Sequence, residues 1–343
     1  KTVSLEAEKV INVQPRYARL RSRESKEIFG WENIELISDR SFDTWIDEFK
    51  SLKDKYPDGI VIASIMEEYR KDGWCEIVER CQDAGVDAFE LNFSCPHGLP
   101  ERKMGSAMGV NPDMVQEVTG WVMSVTKIPV WAKMTPNVTR IEDPTQAALT
   151  AGADGIAAIN TIRSVLGVDL DSLRPEPCVE GYTTPGGYSC QAVKPIALNM
   201  VAEIARDPET RGLPISGIGG VTTWRDAAEF MALGAGNVQV CTAAMTYGFR
   251  VVEEMISGLS DWMDEAGHGS IDELVGRATP NVTDWQRLNL EYVSKARIDQ
   301  DLCISCGRCH VVCEDTSDLN RHPFLACPMP LRLDRRNPRS SPR

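Results

Sequence analysis

The segments AGVDAFEL (84–91) and AGADGIAAI (151–159) repeat one device: a helix end, a glycine turn, an aspartate, then an apolar strand. This repeat constrains the fold more than any other feature of the chain. Short apolar runs fall at 60–65, 87–93, 129–134, 154–159, 214–218 and 237–242. Amphipathic, helix-like stretches lie between them, near 41–56, 74–84, 111–126, 141–151, 192–206 and 222–233. Start signals such as Asn111-Pro112-Asp113 and Thr222-Thr223-Trp224 mark two of these. Strand–helix alternation with parallel crossovers defines an α/β protein. Successive units of this length, with polar residues at the strand C-termini, favour a (β/α)₈ TIM-type barrel over an open sheet.

Six units are legible, not eight. The expectation is a barrel lacking its first strands, whose edges at 60–65 and 237–242 face a gap. The barrel and its C-terminal helices would occupy 1–298, with 257–298 helical and connecting. A cysteine segment would follow at 299–317. Arg321, Arg332, Arg335, Arg336, Arg339 and Arg343 mix with prolines in 318–343, which predicts a disordered tail.

The cysteine segment reads CISCGRCHVVC from Cys303 to Cys313 and places Cys303, Cys306, Cys309 and Cys313 at spacings of three, three and four residues. Thiolates at this spacing suit one face of a cubane iron–sulfur cluster. A structural zinc site, the alternative, splits its ligands into two separated pairs. Eleven cysteines, four of them clustered, point to a reducing cytoplasm rather than a disulfide scaffold. A net charge of −13 argues against a nucleic-acid partner. No apolar run approaches the ~20 residues of a membrane span, and no signal peptide is expected.

Polar groups just beyond barrel strands sit at the catalytic mouth. The strand 87–93 runs through Asn92 into Phe93-Ser94-Cys95-Pro96-His97-Gly98. Cys95 can serve as an acid, since a thiol has a proton to give near neutral pH, or can be a buried inert cysteine. Lys133, at the inner end of its strand, is costly to bury without an anion; it either faces a flavin ring edge or reaches the rim. Asn160-Thr161 follows the next strand, and an amide offers both donor and acceptor to a planar ring edge. Ile218-Gly219-Gly220 and Cys241-Thr242 close the last two units, the usual barrel phosphate position, although glycines there can also serve only a turn.

ELNFSCPHG, AKMTPNVT, ADGIAAINT, GGYS, AVKPIAL, SGIGG and CISCGRC together resemble the dihydropyrimidine dehydrogenases, within the wider class of dihydroorotate dehydrogenase-like barrels. The resemblance covers about 1–318. It implies FMN at the barrel mouth, hydride transfer to C6 of uracil or thymine, and protonation of C5 by Cys95. It assigns Asn33, Asn92, Phe93, Ser94, Asn160 and Thr161 to the pyrimidine. It assigns Lys1, Thr2, Lys133, Ile218, Gly219, Gly220, Cys241 and Thr242 to FMN. Electrons would enter through 4Fe-4S clusters from a partner module carrying FAD and NAD(P)H, in an oligomeric enzyme. The chain departs from the family at Cys190, where a small glycine is expected beside the flavin, and in lacking a second cysteine motif; Cys327-Pro328 matches a ligand only in type. A dihydroorotate dehydrogenase-like enzyme and an inactive truncated fragment are the competing readings.

Overall fold

The computed structural model describes residues 1–6, 11–95, 103–292, 299, 301–306 and 308, and the backbone of 296–297 and 332–333. The chain divides into two compact units, 1–282 and 283–343. In the first unit the strands are β1 (Tyr17–Arg21), β2 (Ile28–Asn33), β3 (Ile62–Ile65), β4 (Ala88–Asn92), β5 (Val130–Lys133), β6 (Gly155–Ala158), β7 (Ile162–Ser164), β8 (Gly167–Asp169), β9 (Arg174–Glu176), β10 (Gly186–Ser189), β11 (Ile215–Ile218) and β12 (Asn237–Gln239). The helices are α1 (Phe42–Lys55), α2 (Lys71–Asp83), α3 (Ser106–Gly109), α4 (Pro112–Met123), α5 (Glu142–Thr150), α6 (Lys194–Arg206), α7 (Trp224–Ala232), α8 (Thr242–Tyr247) and α9 (Arg250–Ala266).

The apolar runs read from the sequence become one parallel sheet in the order β12-β11-β6-β5-β4-β3. Each strand returns through a helix, as a TIM-type α/β fold requires. The repeated glycine–aspartate device has a physical role. Gly85 and Gly152 take φ of +88° and +98°, which turns the chain out of α2 and α5 at little steric cost. Asp87 and Asp154 then accept hydrogen bonds from the Val61 and Val130 amides at 2.7 and 2.9 Å. Each aspartate thereby ties its own strand to the start of the preceding one.

The core lies between sheet and helices. Trp74, Phe89, Phe93 and Phe230 are fully buried there, each worth about 1.5–3 kcal/mol of transfer free energy. Helix ends follow local chemistry: Asn111 caps α4 through the Asp113 and Met114 amides, and Thr223 with Asp226 forms a reciprocal capping box on α7.

Among the described residues β3 and β12 end the sheet, but the β3 edge is not bare as the sequence suggested. Val3 pairs in parallel with Ile65, its amide donating to the Ser64 carbonyl at 2.9 Å and its carbonyl accepting from Met66 at 3.1 Å. Val3 thus satisfies two of the edge groups nearest the mouth. A second, antiparallel sheet in the order β1-β2-β10-β7 was not anticipated. Among the described residues of 257–292 the chain is less helical than expected: α9 already starts at Arg250, and beyond Ala266 come 3₁₀ turns at 271–273, 279–281 and 285–287. Among the described residues no helix is long and apolar enough to cross a membrane.

In the second unit Ala296–Arg297 pairs antiparallel with Arg332–Leu333. Cys309, Cys313, Cys327 and most of 318–343 lie outside the described residues.

Candidate active site

The C-terminal ends of β3, β4 and β6 bring five polar side chains into one hydrogen-bonded cluster. Asn92 is 6% exposed. Its Oδ1 accepts from the Ser94 amide and hydroxyl, each at 3.0 Å, and from Asn160 Nδ2 at 3.2 Å. Its Nδ2 donates to Thr2 Oγ1 at 2.9 Å, and Thr2 in turn meets Ser64 Oγ at 2.9 Å. Asn160 Nδ2 also donates to Ser94 Oγ at 2.7 Å, while its Oδ1 accepts from the Thr161 amide. Asn92, Ser94, Asn160 and Thr2, separated by up to 158 residues in sequence, therefore meet in one cluster. Phe93 instead points into the core, packed against Trp74 with ring centroids 5.9 Å apart.

The antiparallel sheet carries the next group. Asn33, at the end of β2, donates to the Gly187 carbonyl at 3.2 Å. A Cβ on Gly187 would lie 2.3 Å from Thr161 Oγ1 and 3.2 Å from Asn33 Nδ2, so only glycine lets these two side chains converge. Asn137 joins them, donating to the Thr161 carbonyl at 3.4 Å. Glu35, two residues beyond Asn33, escaped sequence reasoning. It accepts from Arg16 Nη1 at 2.7 Å and from Tyr17 Oη at 2.5 Å, and lies 3.1 Å from Lys1 Nζ. Burial alone would raise this carboxyl, but Tyr17, Lys1 and Arg16 hold it below the usual range. The same burial, with Glu35 as neighbour, pushes Tyr17 up to about 12.

Lys133 points inward and donates to Glu90 Oε1 at 2.9 Å. Glu90 Oε2 accepts from Gln239 Nε2 at 2.7 Å, and Gln239 also reaches Ser216 Oγ at 3.1 Å. Burial works against the Glu90 charge, yet Lys133 and Gln239 keep its carboxyl below the ordinary value. The anion that Lys133 needs is thus supplied by the protein.

After β11 the chain turns sharply at Gly219 (φ +130°) and Gly220 (φ +77°), behind Ile218, whose carbonyl accepts from the Ile159 amide. A Cβ on Gly219 would come within 2.7 Å of Ala197 Cβ, and one on Gly220 within 2.9 Å of the Cys190 carbonyl. Cys241 is the exposed residue at the N-cap of α8, whose first residue is Thr242. Cys190 is buried with φ +79° and ψ −169°, a region of backbone space that is essentially glycine's. Its thiol lies 3.7 Å from the Ile28 carbonyl and takes a hydrogen bond from Thr242, while burial raises it above the ordinary thiol value.

Cys95 is 8% exposed and packs with Ile37, Met66 and Met104. The Ser106 amide donates to its carbonyl at 3.1 Å. Pro96, His97 and Gly98 lie outside the described residues. In the second unit Cys303 and Cys306 sit in one loop, where the Ser305 amide donates to Cys303 Sγ at 3.4 Å. Among the described residues no group of three or more metal-ligating side chains is assembled, because Cys309 and Cys313 fall outside them.

This arrangement has relatives. Residues 1–263 match the dihydroorotate dehydrogenase family. The chloroplastic dihydropyrimidine dehydrogenase (NADP(+)) of Arabidopsis thaliana is 53% identical over 285 residues, 81% of this chain and 67% of that protein. The NAD-dependent dihydropyrimidine dehydrogenase subunit PreA of Escherichia coli K12 is 42% identical over 303 residues, 88% of this chain and 73% of that protein. The crystal structure of a ligand-free dihydroorotate dehydrogenase from Eimeria tenella superposes with a TM-score of 0.62 at 21% identity, covering 78% of this chain and 77% of that one; it supports the fold. The chain belongs to the dihydroorotate dehydrogenase family of oxidoreductases. Within that family it stands with the dihydropyrimidine dehydrogenases.

Proposed function

We propose that this chain is the pyrimidine-reducing component of a dihydropyrimidine dehydrogenase, which reduces the 5,6 double bond of uracil or thymine. The observation that carries the reading is the cluster of Asn92, Ser94 and Asn160 immediately ahead of Cys95. A uracil edge alternates N–H and C=O groups, and carboxamides and hydroxyls complement both. Asn33 and Thr161, held together across Gly187, extend the same donor and acceptor set. These side chains bind and orient the planar ring; Phe93 supports them from the core.

The residues present fit FMN. Lys133 brings a cation inside the barrel, Thr2 lines the β3 side with the Lys1 ammonium turned to Glu35, and the Ile218-Gly219-Gly220 turn with Cys241 and Thr242 would form the phosphate end. The turn supports this because Gly219 and Gly220, at positive φ, leave its backbone without side chains. Cys190 narrows the same place, and its thiol is turned to Ile28 and Thr242. When bound, FMN supplies a hydride from N5. Cys95 holds the proton for C5, and its shielding by Ile37, Met66 and Met104 keeps water from the thiol.

The thiols of Cys303, Cys306 and Cys309 fit three ligands of a 4Fe-4S cluster in their donor chemistry, Cys313 would serve a second cluster as the fourth cysteine does in two-cluster ferredoxins, and the Ser305 amide is directed at Cys303 Sγ. Electrons would arrive from a partner subunit with FAD and NAD(P)H; the E. coli relative is named as a subunit. Cysteine usage supports a reducing compartment such as the cytoplasm, although the Arabidopsis relative is named chloroplastic.

The test is anaerobic. Purified protein carrying FMN and reduced with dithionite should be reoxidised by uracil or thymine, with dihydropyrimidine as product. Reoxidation by orotate but not by uracil would favour a dihydroorotate dehydrogenase, and failure to take up FMN an inactive fragment.

A further inference from the structure

We propose that Glu90 sets the reduction potential of the bound flavin by cancelling the charge of Lys133. The inference rests on the flavin reading of the barrel mouth. Glu90 is 6% exposed and lies inside the parallel sheet, two residues below Asn92 on the same strand face. Both of its oxygens are engaged, Oε1 by Lys133 at 2.9 Å and Oε2 by Gln239 at 2.7 Å. The Gln239 amide also donates to Ser216 Oγ, which donates to Asn237 Oδ1 at 2.6 Å. One chain of hydrogen bonds therefore links β5, β4, β12 and β11 through the interior, and only Lys133 and Glu90 in it are charged.

The chemistry follows from that net charge. Two-electron reduction of a flavin with uptake of one proton leaves negative charge along its N1–C2=O edge. A lone lysine beside that edge favours the reduced state and raises the potential. A lysine whose charge is matched 2.9 Å away by a carboxylate presents a dipole, and its field falls off faster with distance. Neutral acceptors could fill the hydrogen-bonding capacity of the Lys133 ammonium but would not balance its charge. A carboxylate at that position adds charge compensation, which holds the potential low enough for electrons to leave the flavin for a pyrimidine. Lys1 Nζ does not share the pair; it is directed to the Leu36 carbonyl and Glu35. Glu90 is thus a positioning and charge-setting residue that acts through Lys133.

A structural strut and a charge-setting residue differ in one readout. The full chain loaded with FMN is titrated anaerobically against a reference dye, as wild type, Glu90→Gln and Glu90→Asp. Glu90→Gln should raise the reduced-to-oxidised ratio at a fixed potential at least tenfold, a positive shift of about 30 mV for a two-electron couple. Glu90→Asp keeps the charge and should stay close to wild type. An unmoved potential in Glu90→Gln, or an equal shift in both variants, overturns the proposal. If Glu90→Gln does not fold, Lys133→Gln decides: it leaves the carboxylate uncompensated and should lower the potential, and no change there overturns the proposal as well. Wild-type protein that takes up no FMN sinks the flavin reading together with this one, whereas bound FMN with unmoved potentials sinks this one alone.

Discussion

Replacing Gly109 by alanine should damage the site without touching any residue that meets substrate. Gly109 ends α3, and a Cβ built on it would stand 1.9 Å from the Phe93 carbonyl oxygen. Real Cβ contacts stay beyond 3.0 Å, so α3 or the Phe93 backbone must move by more than an ångström. Neither yields easily. The start of α3 holds the Cys95 carbonyl through the Ser106 amide, and Phe93 is pinned in the core by Trp74. The clash therefore falls on the three residues that carry Ser94 and Cys95. Overpacking of this kind costs about 1–3 kcal/mol. For a unit of this size that is a fall of roughly 2–10 °C in Tm. A 1 Å misplacement of a reacting group costs on the order of 10²-fold in rate, so kcat for uracil should fall far more than the fraction folded. Thermal unfolding and steady-state turnover on the same preparation separate the two effects. A folded Gly109→Ala protein with wild-type Tm and kcat would refute the argument that α3 clamps the Phe93–Cys95 backbone.

Gly120 is the contrasting case: it lies in α4 with nothing within 4 Å of a built Cβ, so Gly120→Ala should raise stability by up to about 1 kcal/mol in a urea melt. Cys95→Ser should retain FMN, read from its absorbance, and lose most turnover, because a serine hydroxyl is a far weaker acid near pH 7; near-normal turnover would remove Cys95 from the proton-donor role. Asp226 stabilises the turn after Gly220 by accepting from the Thr222 and Thr223 amides and from Lys194. Burial opposes its charge, but these partners lower its carboxyl below the ordinary 3.8. The folded state thus binds the proton less readily than the unfolded one. The stabilisation is complete above the unfolded value of about 4 and is lost as pH falls through the lower folded one. Asp226→Asn should cost about 2 kcal/mol at pH 7 in urea unfolding, with the gap to wild type closing at acid pH.

Periodicity revealed the parallel sheet because each of its strands carries its own signal: an apolar run, bounded by glycine or proline, at the end of a helical stretch. Observed strands fall within every run that was read. The antiparallel sheet has no such signal. β1 alternates, as YARLR, but with arginines on its outer face, and β10 is GGYS, two glycines in four residues. Its pairings join β2 to β10 more than 150 residues away, and nothing local specifies that register. Asn33 was accordingly visible only through family resemblance, and Glu35 not at all. Its function in the structure comes from Arg16, Tyr17 and Lys1, residues that read in sequence as a polar stretch and a chain start. Cys190 was singled out as bulk in a small-residue position; its thiol turns to Thr242 and its backbone adopts glycine's conformation.

The two polar systems of the interior share a strand for a geometric reason. Residues two apart on a strand point the same way, so Ala88, Glu90 and Asn92 of β4 form one inward column. Asn92 is in register with Lys133, Lys133 with Ala157, Ala157 with Ser216, and Ser216 with Asn237. Lys133 does not meet Asn92 across that register but reaches down one layer to Glu90. That choice leaves the Asn92 carboxamide free of a competing cation, so that its Oδ1 accepts from Ser94 and Asn160 and its Nδ2 donates to Thr2. Ala157, with its methyl group between the two polar neighbours in register, leaves room in the layer. The result is a neutral amide cluster of the kind the proposed pyrimidine site calls for, beside the opposite charges of Lys133 and Glu90. A substitution of Ala157 by a larger side chain would couple the layers by forcing Lys133 upward. Ala157→Val is therefore expected to weaken uracil binding and to shift the flavin potential together, while Ala158→Val on the opposite strand face should disturb packing alone.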